Sequence, residues 1–263
     1  MPTTLWILVA GLGLAGGVLS GLLGIGGGIV MTPLLLYVPP VCRQPALDMP
    51  IVAGLTIVQS LFAGMSGVLS HHERGDVHHK LALWLGGTMV ASTFAGAWWS
   101  NFVSADVLLA LFAVLAIVAA AMMLMPGTRV DEESDAEATP FGRARAVVTG
   151  VVIGFAGGMV GQSGAFMVVP AMIHVLGIPV RTAIGTALGV VVLAALAGTA
   201  GKLSTGQVDL RLALALVPPT IIGARIGARW SGRVSADVLR RSLALVIAAA
   251  AARICFDLLG RSS

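Results

Sequence analysis

No charged residue occurs between Met1 and Cys42, and that run is too long for one passage through a bilayer. From Leu5 to Val38 it would make a straight helix of about 51 Å at 1.5 Å per residue, against about 30 Å of hydrocarbon. Something must break it, and "GLLGIGGGIVMTPLLL" supplies the break: Gly21, Gly24, Gly26, Gly27 and Gly28 cluster ahead of Pro33. Further uncharged runs extend from Met49 to His72, Leu81 to Ala105, Val107 to Thr128, Ala146 to Val180 and Thr182 to Gly201. Two less clean ones follow, at Leu212 to Ala224 and at about Ser242 to Ala252. With 57% hydrophobic and 11% charged residues, the chain falls far from the roughly 25% charged residues of a soluble domain. It reads as an all-α polytopic integral membrane protein, expected as a multi-pass protein of the plasma (bacterial inner) membrane. The opening run has no Lys or Arg before it and no small-residue cleavage pattern after it, so it reads as retained. Trp6, Trp84, Trp98, Trp99 and Trp230 all fall near run ends, as an interfacial belt requires.

The chain also repeats itself. "RVSADVLRRSLALVI" from Arg233 echoes "FVSADVLLALFAVLA" from Phe102 at a spacing of 131 residues. The same spacing pairs Gly75, Val77, Leu81 and Gly96 with Gly206, Val208, Leu212 and Gly227. Upstream the spacing becomes 137 and pairs Gly17, Gly24 and Pro33 with Gly154, Gly161 and Pro170, so that "GQSGAFMVVP" answers "GIGGGIVMTP". The expected organisation is a first membrane repeat at 1–125, a polar acidic linker at 126–145 and a second membrane repeat at 146–263, forming one integrated domain. Helices should restart near Gly28 to Pro33 and near Ala165 to Pro170, because proline suits a helix's first turn and not its interior.

A break can be a kink in one crossing or the tip of a hairpin. Eight simple crossings divide the 16 Lys and Arg 9 to 7. A hairpin opening each half divides them 11 to 5, with Arg43, Lys202, Arg211, Arg253 and Arg261 on the poorer face, which satisfies the positive-inside rule. Each half then makes three full crossings, so the tandem repeats should be inverted, a recurrent transporter plan.

A glycine-rich turn at membrane depth must be buried in protein or line a polar cavity. Half-helix N-termini carry free N–H donors and partial positive charge, so two of them meeting near the midplane would suit an anion. The candidate substrate-binding residues on this reading are Gly24, Gly26, Gly27 and Gly28 with Thr32, and Gly161, Gln162, Ser163 and Gly164. The competing reading makes the glycines a close helix-packing surface.

"SGLLGIGGGIVMTPLLL", its echo "GFAGGMVGQSGAFMVVP", "AIGTALG" and "IIGARIGARWSGRVSADVLRR" together resemble the sulfite exporter TauE/SafE family, over essentially the whole chain. The resemblance implies a secondary transporter for sulfite, sulfonates such as sulfoacetate, or related sulfur-containing anions. Where members of that family often show Gly-Thr-Ser, this chain has Gly54-Leu55-Thr56 and Gly185-Thr186-Ala187, and Thr56 and Thr186 join the candidate binding residues through this correspondence.

Other motifs weigh less. "GLGLAG" at Gly11 to Gly16 matches a dinucleotide fingerprint but has no acidic residue before Asp48, so helix packing explains it better. "GQSG" matches the GxSG of intramembrane serine proteases, the alternative function from another class. Its only later histidine, His174, lies 11 residues on, or about 16 Å along a helix. An anion channel is the nearer alternative. "HHERGDVHH", His71 to His79, fits no metal site of recognisable spacing and reads as a solvated loop. Arg225 and Arg229 lie one turn apart and can snorkel to the interface. Cys42 and Cys255 form no framework. No cofactor or metal is called for. The expected partners are a small anion, the lipid bilayer and, as an open option, a second copy of the chain, with no nucleic acid.

Overall fold

The computed structural model describes residues 3–23, 28–71, 78–125 and 141–231. The glycines Gly24, Gly26 and Gly27, most of the His71 to His79 stretch, the acidic linker and the "RVSADVLRR" copy of the repeat lie outside the described residues. Among the described residues every regular element is helical, and six helical stretches are long and apolar enough to cross a membrane. The protein is an all-α, multi-pass membrane protein.

Both overlong runs are broken as their glycines require. Helix α1 (Thr3–Leu23) ends ahead of the glycine cluster and α2 (Gly28–Val41) starts at its last member. In the second half α7 (Arg143–Met159) ends at Val160, and α8 (Ala165–His174) restarts after a turn at 160–164. Pro33 and Pro170 each stand sixth in their helix, one turn later than the first-turn placement expected from sequence. Each therefore removes a bond to the carbonyl four residues back, at Ile29 and Phe166.

The first break is a hairpin. The Thr4 hydroxyl donates to Gln44 Oε1 at 3.1 Å, tying the start of α1 to the residues just past α2, and Gly16 of α1 lies against Met31 of α2. Helix α3 (Met49–His71) packs on both arms of the hairpin, and the rod His79–Phe102 and α6 (Ala105–Leu124) follow it in the chain. That rod comprises α4 (His79–Leu81), a π-helical turn (Ala82–Gly86), α5 (Gly87–Trp99) and a 3-10 turn (Ser100–Phe102). Later come α9 (Val180–Ser204) and α10 (Leu210–Ser231).

Glycine decides which helices touch. Gly13, Gly17 and Gly21 of α1 press on the backbone of α10 at Leu216, Thr220 and Ala224, and Gly223 and Gly227 of α10 press back on Leu14 and Val18. Gly150, Gly154 and Gly158 of α7, each 137 residues later, lie in the same way against α5 and the turn before it, at Leu85, Met89 and Thr93. Such small-residue stripes let backbones approach where no hydrophobic effect drives helices together. The packing explanation of "GLGLAG" therefore holds at Gly13 and Gly16, while Gly11 faces open space. The first helix of the chain is held by its last described helix, and α7 by α5. Helices α3 and α9 pack on each other between these pairs.

Candidate substrate site at the helix breaks

The turn at 160–164 is made by backbone conformations that side chains resist. Gly161 and Gly164 have φ of +76° and +73°, and Ser163, which is not glycine, has φ +47°. A Cβ on Gly161 would run into the carbonyl of Ala53 in α3, so both conformation and space demand glycine there. The Gln162 N–H closes the turn on the carbonyl of Gly157 at 2.7 Å. The N–H groups of Ser163 and Gly164 have no backbone acceptor among the described residues. They stand at the N-terminus of α8, where the helix dipole concentrates partial positive charge.

Gln162 carries this turn onto the other break. Its Nε2 donates to the carbonyl of Gly28 at 3.0 Å and to Thr32 Oγ1 at 2.6 Å, both in the first turns of α2. Because the Gly28 carbonyl can only accept, these contacts fix which end of the amide is nitrogen. Thr56 of α3 completes the brace: its Oγ1 lies 3.0 Å from the carbonyl of Gly161 and 2.9 Å from that of Val52, with one proton to share. The two half-helix N-termini therefore meet, as the sequence leads one to expect, and the amide of Gln162 joins them.

What surrounds the junction is polar, uncharged and shut away. Thr32, Thr56, Gln59, Ser60, Gln162 and Ser163 are all at most 1% exposed. A Cβ on Gly28 would meet Ser60 Oγ and Gln162 Oε1, and one on Gly16 would meet Gln59 Nε2 and Met31 Sδ. Among the described residues the bonding is incomplete: Gln59 Oε1 and Nε2 and Gln162 Oε1 have no hydrogen-bond partner there. An unmade bond on a buried amide costs about 1–3 kcal/mol, so these atoms single out the junction as the candidate site. Gln59 Nε2 and the free backbone N–H groups offer donors to an anion. The free amide oxygens suit an O–H, either of water or of a protonated oxyanion.

Of the residues singled out from sequence, Gly28, Thr32, Thr56, Gly161, Gln162, Ser163 and Gly164 come together here. Thr186 does not join them, since its Oγ1 accepts from the backbone N–H of His78 at the entry to α4. Gln59 and Ser60 were not singled out. The available signal was an amide in the middle of an uncharged span, where polar groups are costly and functional. The charge count placed Lys202 on a loop face, and this is corrected: Lys202 is fully buried near the end of α9. Arg225 and Arg229 are exposed.

Ser163 Oγ donates to the carbonyl of Gln162 at 2.7 Å, a bond that engages its proton with its own backbone and not with a base. His174 ends α8. Among the described residues no three His, Cys, Asp or Glu gather into a metal-binding group.

A family model described as "Sulfite exporter TauE/SafE" matches residues 9–254. The chain is 27% identical over 244 residues to the "Probable membrane transporter protein YdhB" of Bacillus subtilis, covering 91% of this chain and 96% of that protein. It is 25% identical over 261 residues to "Probable membrane transporter protein YunE" of the same organism, covering 92% and 94%. To "Probable membrane transporter protein MJ0441" of Methanocaldococcus jannaschii it is 24% identical over 243 residues, covering 88% of each. No solved structure matches. These relatives are transporters and not enzymes, which disposes of the protease reading of "GQSG". The family match spans both broken helices and the junction between them, and by it the chain belongs to the sulfite exporter TauE/SafE family of membrane transporters.

Proposed function

We propose that this transporter carries small anions, namely sulfite, sulfonates or related sulfur-containing anions, and that it binds them at the junction of α2, α3 and the turn at 160–164. The observation that carries the reading is the set of unpartnered amide atoms on Gln59 and Gln162 beside two half-helix N-termini. An oxyanion would take hydrogen bonds from the Gln59 amide and from the backbone N–H groups of Ser163 and Gly164, with the helix dipoles favouring its charge. Gly24, Gly26 and Gly27 would supply the matching donors from the first half. Neutral donors hold an anion without trapping it, which suits a carrier that must also release its cargo.

The same reading takes 1–125 and 146–263 as inverted halves joined by 126–145. The matched glycine stripes on α1 and α7 and the crossed packing of α1 on α10 and α7 on α5 support it. Cysteines placed at positions 75 and 263 should then label from opposite sides of the membrane; labelling from one side would sink the inversion.

The direct test is uptake into proteoliposomes of sulfite, thiosulfate, sulfoacetate and chloride, alongside anion-induced shifts of the melting temperature in detergent. A carrier should saturate and show counterflow, whereas a channel should pass current without it. If no sulfur oxyanion or sulfonate stabilises the protein at millimolar concentration, the anion site is wrong.

A further inference from the structure

Lys202 is fully buried near the end of α9. Its Nζ lies 2.6 Å from Ser100 Oγ, 2.6 Å from Gln207 Oε1 and 3.1 Å from the carbonyl of Met159. Ser100 Oγ turns its own proton towards the carbonyl of Ala97, at 2.6 Å, which leaves a lone pair for the lysine. An ammonium can donate one N–H to each of these three acceptors at once. All three acceptors are uncharged. Asp209, the acidic residue next along the chain, is occupied in capping α10, where its carboxylate accepts from the N–H groups of Arg211 and Leu212 at 2.9 and 3.1 Å. A buried cation without a counter-ion is costly, and breaking even is ordinarily achieved by pairing it with a carboxylate. Here no carboxylate among the described residues bonds to it.

Its position gives that charge a use. Met159 is the last residue of α7, and the turn at 160–164 begins at the next residue. Met159 and Gln162 are three residues apart, at most about 11 Å between Cα atoms, and the turn between them is folded back by the Gln162 N–H bond to Gly157, so the ammonium lies near the junction without being part of it. With its three donors occupied, Lys202 does not reach the cargo by contact.

We propose that Lys202 is a specificity-determining residue, whose ammonium, held at a distance by three neutral oxygens, supplies the fixed positive field that makes the junction prefer anions and prefer doubly over singly charged ones. This rests on the anion reading above. A field of this kind scales with the charge of the cargo and not with its shape, which separates it from a packing role. It also gives the polar junction, which contains no charge of its own, a source of charge selectivity.

The test uses two anions of similar shape, thiosulfate with two charges and methanesulfonate with one, and measures their dissociation constants for the purified full chain by thermal shift. Lys202→Met should lose affinity for both anions, and the fold-loss for thiosulfate should be about the square of that for methanesulfonate, because a Coulomb interaction is proportional to the charge of the cargo. Lys202→Arg should keep the wild-type preference. Gln207→Glu leaves the lysine in place and pairs its charge, so it should lose the preference as Lys202→Met does; it decides the matter if Lys202→Met does not fold. Equal loss for the two anions in the variants, or no loss, overturns the proposal and assigns Lys202 to holding the end of α7. A wild type that takes sulfite without preferring thiosulfate to methanesulfonate overturns it too, while the anion reading stands. A wild type that binds none of these anions removes the anion reading itself.

Discussion

Glycine does two different things in this protein, and the atoms it faces tell them apart. Along α1, Gly13, Gly17 and Gly21 face the backbone of α10, and among the described residues no buried side-chain polar atom on that seam lacks a partner; the Thr220 hydroxyl even donates across it to the carbonyl of Gly13 at 3.1 Å. At the junction, Gly28 faces side-chain atoms of Gln162 and Ser60, and the Gln162 Oε1 it faces has no partner among the described residues. A stripe that meets backbone is finished when the helices touch. A glycine that meets unsatisfied side chains opens room for something else, so a packing surface and a binding site can follow one another along a single apolar run.

Substitutions can break this contrast. The largest effect on stability is expected for Gly17→Leu, because a Cβ there meets the backbone of Thr220, which cannot turn aside. Overpacking of that kind should cost about 3 kcal/mol or more. Folded yield and melting temperature should fall together, and transport with them. A Gly17→Leu protein that melts like the wild type would show that the seam is looser than its geometry implies.

Gly28→Ala should be milder for the fold and worse for function. The added methyl meets Ser60 Oγ and Gln162 Oε1, side-chain atoms that can shift at a cost of about 1–2 kcal/mol. Anion-induced stabilisation should nevertheless disappear, since the shift pulls Gln162 off Thr32. If the loss of binding simply tracked the loss of stability in both glycine variants, the two roles would collapse into one.

Gln59→Leu should have the smallest effect on stability and sharpens the contrast most. Both polar atoms of Gln59 lack partners among the described residues, so an apolar side chain of similar size should leave the melting temperature unchanged or raise it, by up to about 1 kcal/mol of stability. Uptake and anion-induced stabilisation should fall all the same. A clear drop in stability without anion would mean that Gln59 has a structural partner, and would remove it from the site.

Much of this was legible in the chain. An uncharged run longer than a bilayer is thick has to break, and the paired glycines and prolines say where: α2 and α8 start at Gly28 and Ala165, within the windows read from sequence. Local chemistry fixes such features, so local chemistry reveals them. The residues that come to the junction from elsewhere were less readable. Gln59 and Ser60 sit one turn past Thr56 on α3, and only the packing of that helix against Gly16 and Gly28 gives them meaning. Thr186 had the right composition around it and the wrong neighbours. Lys202 was misjudged for a physical reason: a lysine near the end of an apolar run looks like a loop charge unless the turn at 205–209 and the rod end at Ser100 are known to fold over it.

The crossed packing sets a schedule for the protein's birth. Gly13 of α1 meets Leu216 of α10, some two hundred residues downstream, so once α1 leaves the ribosome it cannot find its partner until that many more residues have been made. At roughly 5–20 residues per second that is a wait on the order of 10–40 seconds. Throughout it, α1 must lie in the lipid with its glycine stripe bare, and the nascent chain has to be kept from pairing that stripe with another membrane helix.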